Sequence, residues 1–343
     1  MGPVAGTPAL RGGEADAGIR QFLTDQGLAD AKLRRVPTGR NNRVWVIESL
    51  RGRRVLKQYR QSTVDVRDRL SSEYRFLELL HANGIERVPE PIAHDRDRNL
   101  ALYSFLSGTP VGKITRDHID QSVEFLGQVN RLRADPSART LPSASEACFS
   151  IRDHLDNVRA RVALLLSPGI QVGLYEQARA LVEARFVPAF DRLETAITAG
   201  FRHSDVKKRL IEGDRILSPS DFGFHNALES EGVLRFLDFE YAGWDDPAKL
   251  ICDFVCQPDL PLHLEFAHYF VQRMNVALNS EGITERVELL LPLHRLKWCC
   301  IILNGFRGAE WLERSSAGTV EVDVLRSQLE KAAAYFDKHL AQA

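Results

Sequence analysis

The sequence predicts an α+β chain in two lobes, a small β-rich one followed by a larger helical one. Three observations predict it. Short runs of β-branched and aromatic residues, broken by turn residues, crowd the first third of the chain. After Ser107-Gly108-Thr109-Pro110 the apolar spacing changes to threes and fours. A hairpin-like pair of runs between 226 and 238 then interrupts the helical part.

Residues 1–17, rich in Gly, Ala and Pro and lacking the basic and apolar regions of a leader, read as a flexible tail. The first lobe is expected over 18–106. Within it Arg43–Glu48 and Arg53–Tyr59 form a hairpin turning at Ser49–Gly52, a helix covers Val66–Ala82, and two short strands cover Pro91–His94 and Leu100–Phe105. The second lobe is expected over 107–343. Ile119, Val123, Leu126 and Val129 mark its first helix, and about 173–199 gives a second. Asn226–Glu229 and Val233–Asp238 form a hairpin at Ser230-Glu231-Gly232. From Asp259 onward the pattern is helical, ending in the stripe Val322, Leu325, Leu329, Ala332, Phe336 and Leu340.

A length of 343 residues suits two domains or one two-lobed unit. Lys plus Arg is 45 and Asp plus Glu is 46, which argues against a partner held by overall positive charge, whether nucleic acid or a membrane surface. No unbroken apolar run approaches the roughly 18 residues of a membrane span. The five cysteines (Cys148, Cys252, Cys256, Cys299 and Cys300) are odd in number and sit in apolar helical patterns. They read as reduced core thiols of a cytoplasmic protein, with no zinc-type cluster. The adjacent His203-Ser204-Asp205 cannot make a hydrolase relay, which is assembled in space.

Glu73 falls inside the apolar stripe of its helix, between Leu70 and Phe76, Leu77 and Leu80. A carboxylate there needs a cation. Lys57, on the strand face shared with Val55 and Tyr59, is a candidate. Phosphotransferases use such a Lys/Glu pair to grip the α/β-phosphates of ATP. Taken alone, each also reads as a border residue, Glu73 at the margin of its stripe and Lys57 on a solvated edge. Pro37–Val44 (PTGRNNRV) carries one Gly and two Asn that suit backbone N–H groups turned toward phosphate.

The densest constellation is Leu217–Glu240. Asp221 and Asn226 are five apart on a loop, and Asp238 ends the apolar run 17 residues after Asp221. Two loop ends joined by a hairpin can gather an Asp, an Asn and a second Asp around one point. Such oxygen ligands suit Mg²⁺ bridging phosphates, and an Asp beside the metal can accept a hydroxyl proton.

With these residues in place, the sequence resembles the aminoglycoside phosphotransferase and choline kinase superfamily, which has the protein-kinase-like fold. The likeness covers about residues 30–255. It implies Asp221 as catalytic base, Asn226 and Asp238 as Mg²⁺ ligands, and Lys57 with Glu73 as the ATP-anchoring pair. TGRNNRV resembles the phosphate loop, which places Gly39, Asn41 and Asn42 on ATP. LYSFLSGTPV resembles the hinge, which places Ser104 and Leu106 beside adenine. LDFEYAG (237–243) is similar to the choline/ethanolamine kinase version, and Glu240, Trp244, Asp245 and Asp246 become candidate acceptor contacts; the resemblance also implies that Asp246 and Asp253 are structural or line the substrate site. The family's His before the catalytic Asp is Pro219 here, and the His usual two residues after it is Gly223, with His225 following.

The expected activity is transfer of the γ-phosphate of Mg²⁺-ATP to a hydroxyl of a small molecule: an amino alcohol, an aminoglycoside or a sugar. The alternatives are a pseudokinase-type nucleotide-binding scaffold and a kinase acting on a macromolecule.

Overall fold

The computed structural model describes residues 14–36, 42–60, 67–167, 173–279, 282–307 and 322–341. Helix α1 (Glu14–Asp25) precedes strands β1 (Lys32–Val36), β2 (Asn42–Ser49) and β3 (Gly52–Tyr59), helix α2 (Arg69–Ala82), and strands β4 (Pro91–Asp95) and β5 (Leu100–Ser104). The five strands form one antiparallel sheet in the order β1-β2-β3-β5-β4.

Alternation along the strands gives this sheet two apolar faces. Trp45, Leu56 and Leu102 stand in register and, with Ile47 and Leu100, meet Ile19, Phe22 and Leu23 of α1. Val55, Tyr59, Ala101 and Tyr103 face the other way, toward Leu70, Tyr74 and Leu77 of α2. The expected tail therefore overlaps a helix: α1 starts at Glu14 and three of its apolar side chains are buried. Strand β1 was not anticipated either, because KLRRV offers only Leu33 and Val36 to an apolar face.

Strand β6 (Thr109–Pro110) and helix α3 (Arg116–Arg131) follow. Helices α4 (Ile151–Leu166), α5 (Leu174–Leu181) and α6 (Val187–Thr198) come next, the last two joined through a π turn at Val182–Phe186, then the short α7 (His203–Val206). Strands β7 (Ile216–Ser218), β8 (Ala227–Ser230), β9 (Val233–Phe236) and β10 (Gly243–Asp245) precede helices α8 (Pro247–Cys256), α9 (Leu264–Leu278), α10 (Ile283–Ile302) and α11 (Val322–Leu340). The expected hairpin is β8–β9, turned by Glu231 and Gly232 at positive φ, as a tight two-residue hairpin requires. β6 pairs with β8, and β7 with β10. The structure thus shows an α+β architecture, an antiparallel sheet first and a predominantly helical remainder.

Ile283–Phe306 is long and apolar enough to cross a membrane by length and mean hydropathy, which the absence of an unbroken apolar run had hidden. Here Leu290, Leu293, Leu296 and Cys299 are wholly buried in the core of the helical part. A chain of aromatic rings underlies the hairpin. Phe125 of α3 stacks on Phe222 and Phe236, Phe222 on Phe254, and Phe254 on Phe270 at 4.0 Å.

Candidate active site

Lys57 is carried into the interior by the period-2 register of β3, and Glu73 by the helical stripe of α2. The ammonium lies 2.7 and 2.9 Å from the two carboxylate oxygens of Glu73 and 2.9 Å from Oδ1 of Asp238. Burial alone would pull the Lys57 pKa down. The Asp238 and Glu73 carboxylates outweigh it and hold the ammonium well above its ordinary range. Glu73 also accepts from the Tyr59 hydroxyl at 2.5 Å and from the Phe239 N–H at 3.3 Å, and Tyr59 in turn meets the Tyr103 hydroxyl at 2.7 Å. A buried carboxylate is therefore saturated with donors, as its desolvation demands. Tyr59 and Tyr103 were missed as members of this set. The signal was present for Tyr59, two residues past Lys57 on one strand face.

Asp221 follows β7, which α3 pins in place. Leu217 N–H donates to Asn130 Oδ1 at 3.0 Å, and Asn130 Nδ2 donates back to Leu217 O at 3.1 Å. The loop then turns through Ser220 at φ 69°, its N–H donating to the buried Ser218 hydroxyl at 3.0 Å. The loop is thus anchored although Pro219 stands where the family has a His. Asn226 Nδ2 donates to Asp221 O at 3.0 Å, and Asn226 O accepts from Leu237 N–H at 2.8 Å. This last bond brings Asp238 to the end of the loop. Asp238 itself sits at φ 65°, outside β9, in a left-handed conformation that a non-glycine residue adopts only under surrounding constraint. Asp221 and Asp238 side chains are each 42% exposed, open to a ligand. His225 Nε2 stands 3.3 Å from Asp221 Oδ1.

Gly39 and Asn41 lie outside the described residues. Asn42, at the start of β2, donates through Nδ2 to Glu240 Oε2. Glu240 is buried, and burial followed by the neighbouring Asp238 charge raises its pKa. Tyr241, the next residue, carries the guanidinium groups of Arg67 and Arg69 over its ring at 4.9 and 5.5 Å. At the end of β5, Ser104 gives its N–H to Glu90 O and accepts Glu90 N–H at its hydroxyl, both at 2.9 Å. Leu106 lies beyond the strand and is partly exposed. The segment after it is held by Arg235, which donates to Ser107 O at 2.9 Å. Gly108 (φ 150°) lies so close to β8 that a Cβ would stand 2.9 Å from Glu229 O.

Two candidate acceptor contacts, Asp245 and Asp246, are corrected by the geometry. Asp245 is wholly buried, accepting from Lys249 Nζ at 2.6 Å and Cys148 N–H at 3.0 Å. Asp246 is wholly buried too. It caps α8 through Ala248 N–H at 2.7 Å and pairs with Arg286 Nε at 2.8 Å and His154 Nε2 at 3.1 Å. Trp244 spends its indole N–H on Ala138 O at 3.0 Å. Asp245 and Asp246 are committed to the protein, while Trp244 is only partly buried. Trp298 is buried in the core, its N–H donated to Asp253 at 3.1 Å.

Among the described residues no group of three His, Cys, Asp or Glu side chains is placed to hold a metal ion. Asp238 and Asn226 each offer a side-chain oxygen, and Asn226 spends its Nδ2 on Asp221 O. One carboxylate and one amide oxygen fit Mg²⁺, which takes few protein ligands and fills its shell with water and phosphate.

Comparison with known proteins bears on the fold and the family. No curated protein sequence matches the chain. Among solved structures, spectinomycin phosphotransferase APH(9)-Ia, in complex with ADP and spectinomycin, superposes with a TM-score of 0.62 at 13% identity, covering 93% of this chain and 98% of its own. Choline kinase LicA from Streptococcus pneumoniae gives 0.60 at 15% identity, covering 95% and 100%. A choline kinase from Cryptosporidium parvum Iowa II gives 0.57 at 13%, covering 95% and 97%. At these identities the likeness establishes the fold, the kinase-like one that the sequence resemblance implied. The model of the phosphotransferase enzyme family matches residues 32–256, the span holding Lys57, Glu73, Asp221, Asn226 and Asp238. That match covers more than half of the sequence, and the chain therefore belongs to the phosphotransferase enzyme family.

Proposed function

We propose that the protein transfers the γ-phosphate of ATP, with Mg²⁺, to a hydroxyl group of a small molecule. The observation that carries this reading is the Lys57 ammonium held between Glu73 of α2 and Asp238 beyond β9. It joins the sheet to the loop that bears Asp221 and Asn226. In this reading Glu73 holds Lys57 toward the α/β-phosphates, and Asn42 belongs to the phosphate loop with Gly39 and Asn41. Ser104 and Leu106 border adenine. Asp238 and Asn226 hold Mg²⁺, which when bound neutralises the phosphate oxygens. Asp221 orients the acceptor hydroxyl and takes its proton as the oxygen attacks phosphorus in line. Positioning and charge neutralisation supply most of the acceleration.

The acceptor belongs to the range spanned by amino alcohols, aminoglycosides and sugars. The structural neighbours choline kinase, ethanolamine kinase and spectinomycin phosphotransferase support the amino-alcohol and aminoglycoside part of that range. A thermal-shift experiment tests the nucleotide and metal parts. Mg²⁺-ATP at a hundred times its Kd contributes about 2.7 kcal/mol to the folded state, so Tm rises by several degrees. The rise shrinks when EDTA is added, and shrinks likewise in D238N. An unchanged Tm at saturating Mg²⁺-ATP sinks the reading.

A further inference from the structure

Gly223 and His225 share one space. Gly223 has an extended backbone, so its lack of a side chain is not required by φ. It is required by contact. A Cβ built on Gly223 would lie 2.8 Å from His225 Nδ1 and 3.0 Å from His225 Cε1, with Gln257 Cγ at 3.6 Å behind. The imidazole thus fills the slot that a side chain at 223 would occupy. Gln257 is a fixed wall, its Oε1 accepting from Asp259 N–H at 2.7 Å and Leu260 N–H at 3.1 Å. From this slot Nε2 reaches to 3.3 Å from Asp221 Oδ1. Nδ1 is buried and has no hydrogen-bond partner among the described residues.

We propose that His225 is a positioning residue for Asp221, admitted to its slot by the missing side chain at Gly223. The proposal rests on the reading of Asp221 as the base. Nε2 is the ring nitrogen turned to the Asp221 carboxylate, 3.3 Å from Oδ1, whereas Nδ1 is buried without a hydrogen-bond partner among the described residues. The ring thus packs against one oxygen of Asp221. An imidazole wedged beside one carboxylate oxygen leaves the other for the acceptor hydroxyl and restricts rotation of a side chain otherwise open to solvent. A misplacement of about 1 Å in such a group can cost about a hundredfold in rate.

Two measurements test this. The first needs no acceptor: Tm of the native chain, G223A, H225A and G223A/H225A. G223A lowers Tm by a few degrees when His225 is present and by much less in the H225A background. Equal losses in both backgrounds overturn the shared slot. The second is ADP release from Mg²⁺-ATP with the most effective of choline, ethanolamine, spectinomycin, gentamicin and streptomycin, water serving as acceptor if none exceeds it. H225A lowers kcat at least about tenfold while KM for ATP moves less than about threefold, since the lost contact acts on the base and not on nucleotide binding. H225Q, whose Nε2 can donate from the same place, recovers part of the loss, and H225A adds nothing to D221N. An unchanged kcat in H225A, or H225Q no better than H225A, overturns the positioning role. Full turnover in D221N instead overturns the base itself, so the two failures are distinct.

Discussion

Glu73 is the residue on which the nucleotide side of the site depends. It is buried, it holds Lys57 through both oxygens, and it takes the Tyr59 hydroxyl and the Phe239 N–H besides. E73Q keeps the volume and removes the charge. A neutral partner for Lys57 is worth about 2 kcal/mol less than a charged one, so E73Q is expected to lower stability by about that amount. It should also reduce kcat/KM for ATP at least about tenfold, equivalent to about 1.4 kcal/mol. Wild-type kinetics in E73Q would contradict the anchoring role. Lys57 and Glu73 were legible in the sequence because each breaks an apolar period, one of 2 and one of 3.6, at a position the core must bury. Asp245 was not legible, and Asp246 was legible only as one of two readings, structural or lining the substrate site. The partners that make them structural are far away in sequence. His154 and Arg286 come from α4 and α10. Only Lys249, four residues past Asp245 on the first turn of α8, left a local trace.

At the scale of elements, the strands with alternating apolar residues and the helices with clean stripes were readable, and those defined by tertiary contact were not. Helix α1 is one of the latter. Its segment follows a Gly-rich stretch, and its value lies in covering the outer sheet face through Ile19, Phe22 and Leu23. Strands β7 and β10 are three residues each, too short to show a period, yet they carry the site. Gly243 shows how closely that part is packed: a Cβ there would stand 2.3 Å from Pro142 O, so the 142–145 segment can lie directly along β10. The two non-glycine residues at positive φ beside the site, Ser220 and Asp238, flank the loop and the hairpin exit. Their cost is borne by surrounding structure: the Asn130 clamp on Leu217 before the first, and the Lys57 pair on the second.

At the scale of the whole molecule, a buried network of charges runs beneath the site and ties α4, α8 and α10 together. Asp253 accepts from Lys297 at 2.8 Å, His294 at 3.0 Å and Trp298 at 3.1 Å. His294 Nε2 meets His154 Nδ1 at 3.0 Å, and His154 reaches Asp246. Burial lowers the His294 pKa to about 4, against the pull of Asp253. Between about 6.5 and about 4 the unfolded chain therefore binds a proton that the folded chain does not. The His294 contribution is constant above this window and falls as pH drops through it, by on the order of 3 kcal/mol. Asp253 and Asp246 are held below the ordinary carboxylate range, their burial outweighed by neighbouring cations and hydrogen bonds. Their contribution is present above about 3.8 and is lost below it, so it extends the same fall to lower pH. Tm against pH should thus decline from about 6.5 downward, and H294Q should flatten the upper part of that decline; a native profile level to pH 4 would contradict the buried neutral imidazole.

Phosphoryl transfer from ATP to a small hydroxyl compound, with Asp221 as base, is tested most directly by acceptor-dependent ADP release, measured with the native chain and with D221N across choline, ethanolamine, spectinomycin, gentamicin and streptomycin together with simple sugars. At least one acceptor is expected to stimulate release by the native chain. In D221N that stimulation falls by a factor of about 10² or more, the scale of general-base catalysis, while the Mg²⁺-ATP thermal shift persists. Nucleotide binding with no stimulation by any acceptor, or stimulation equal in D221N, would contradict it.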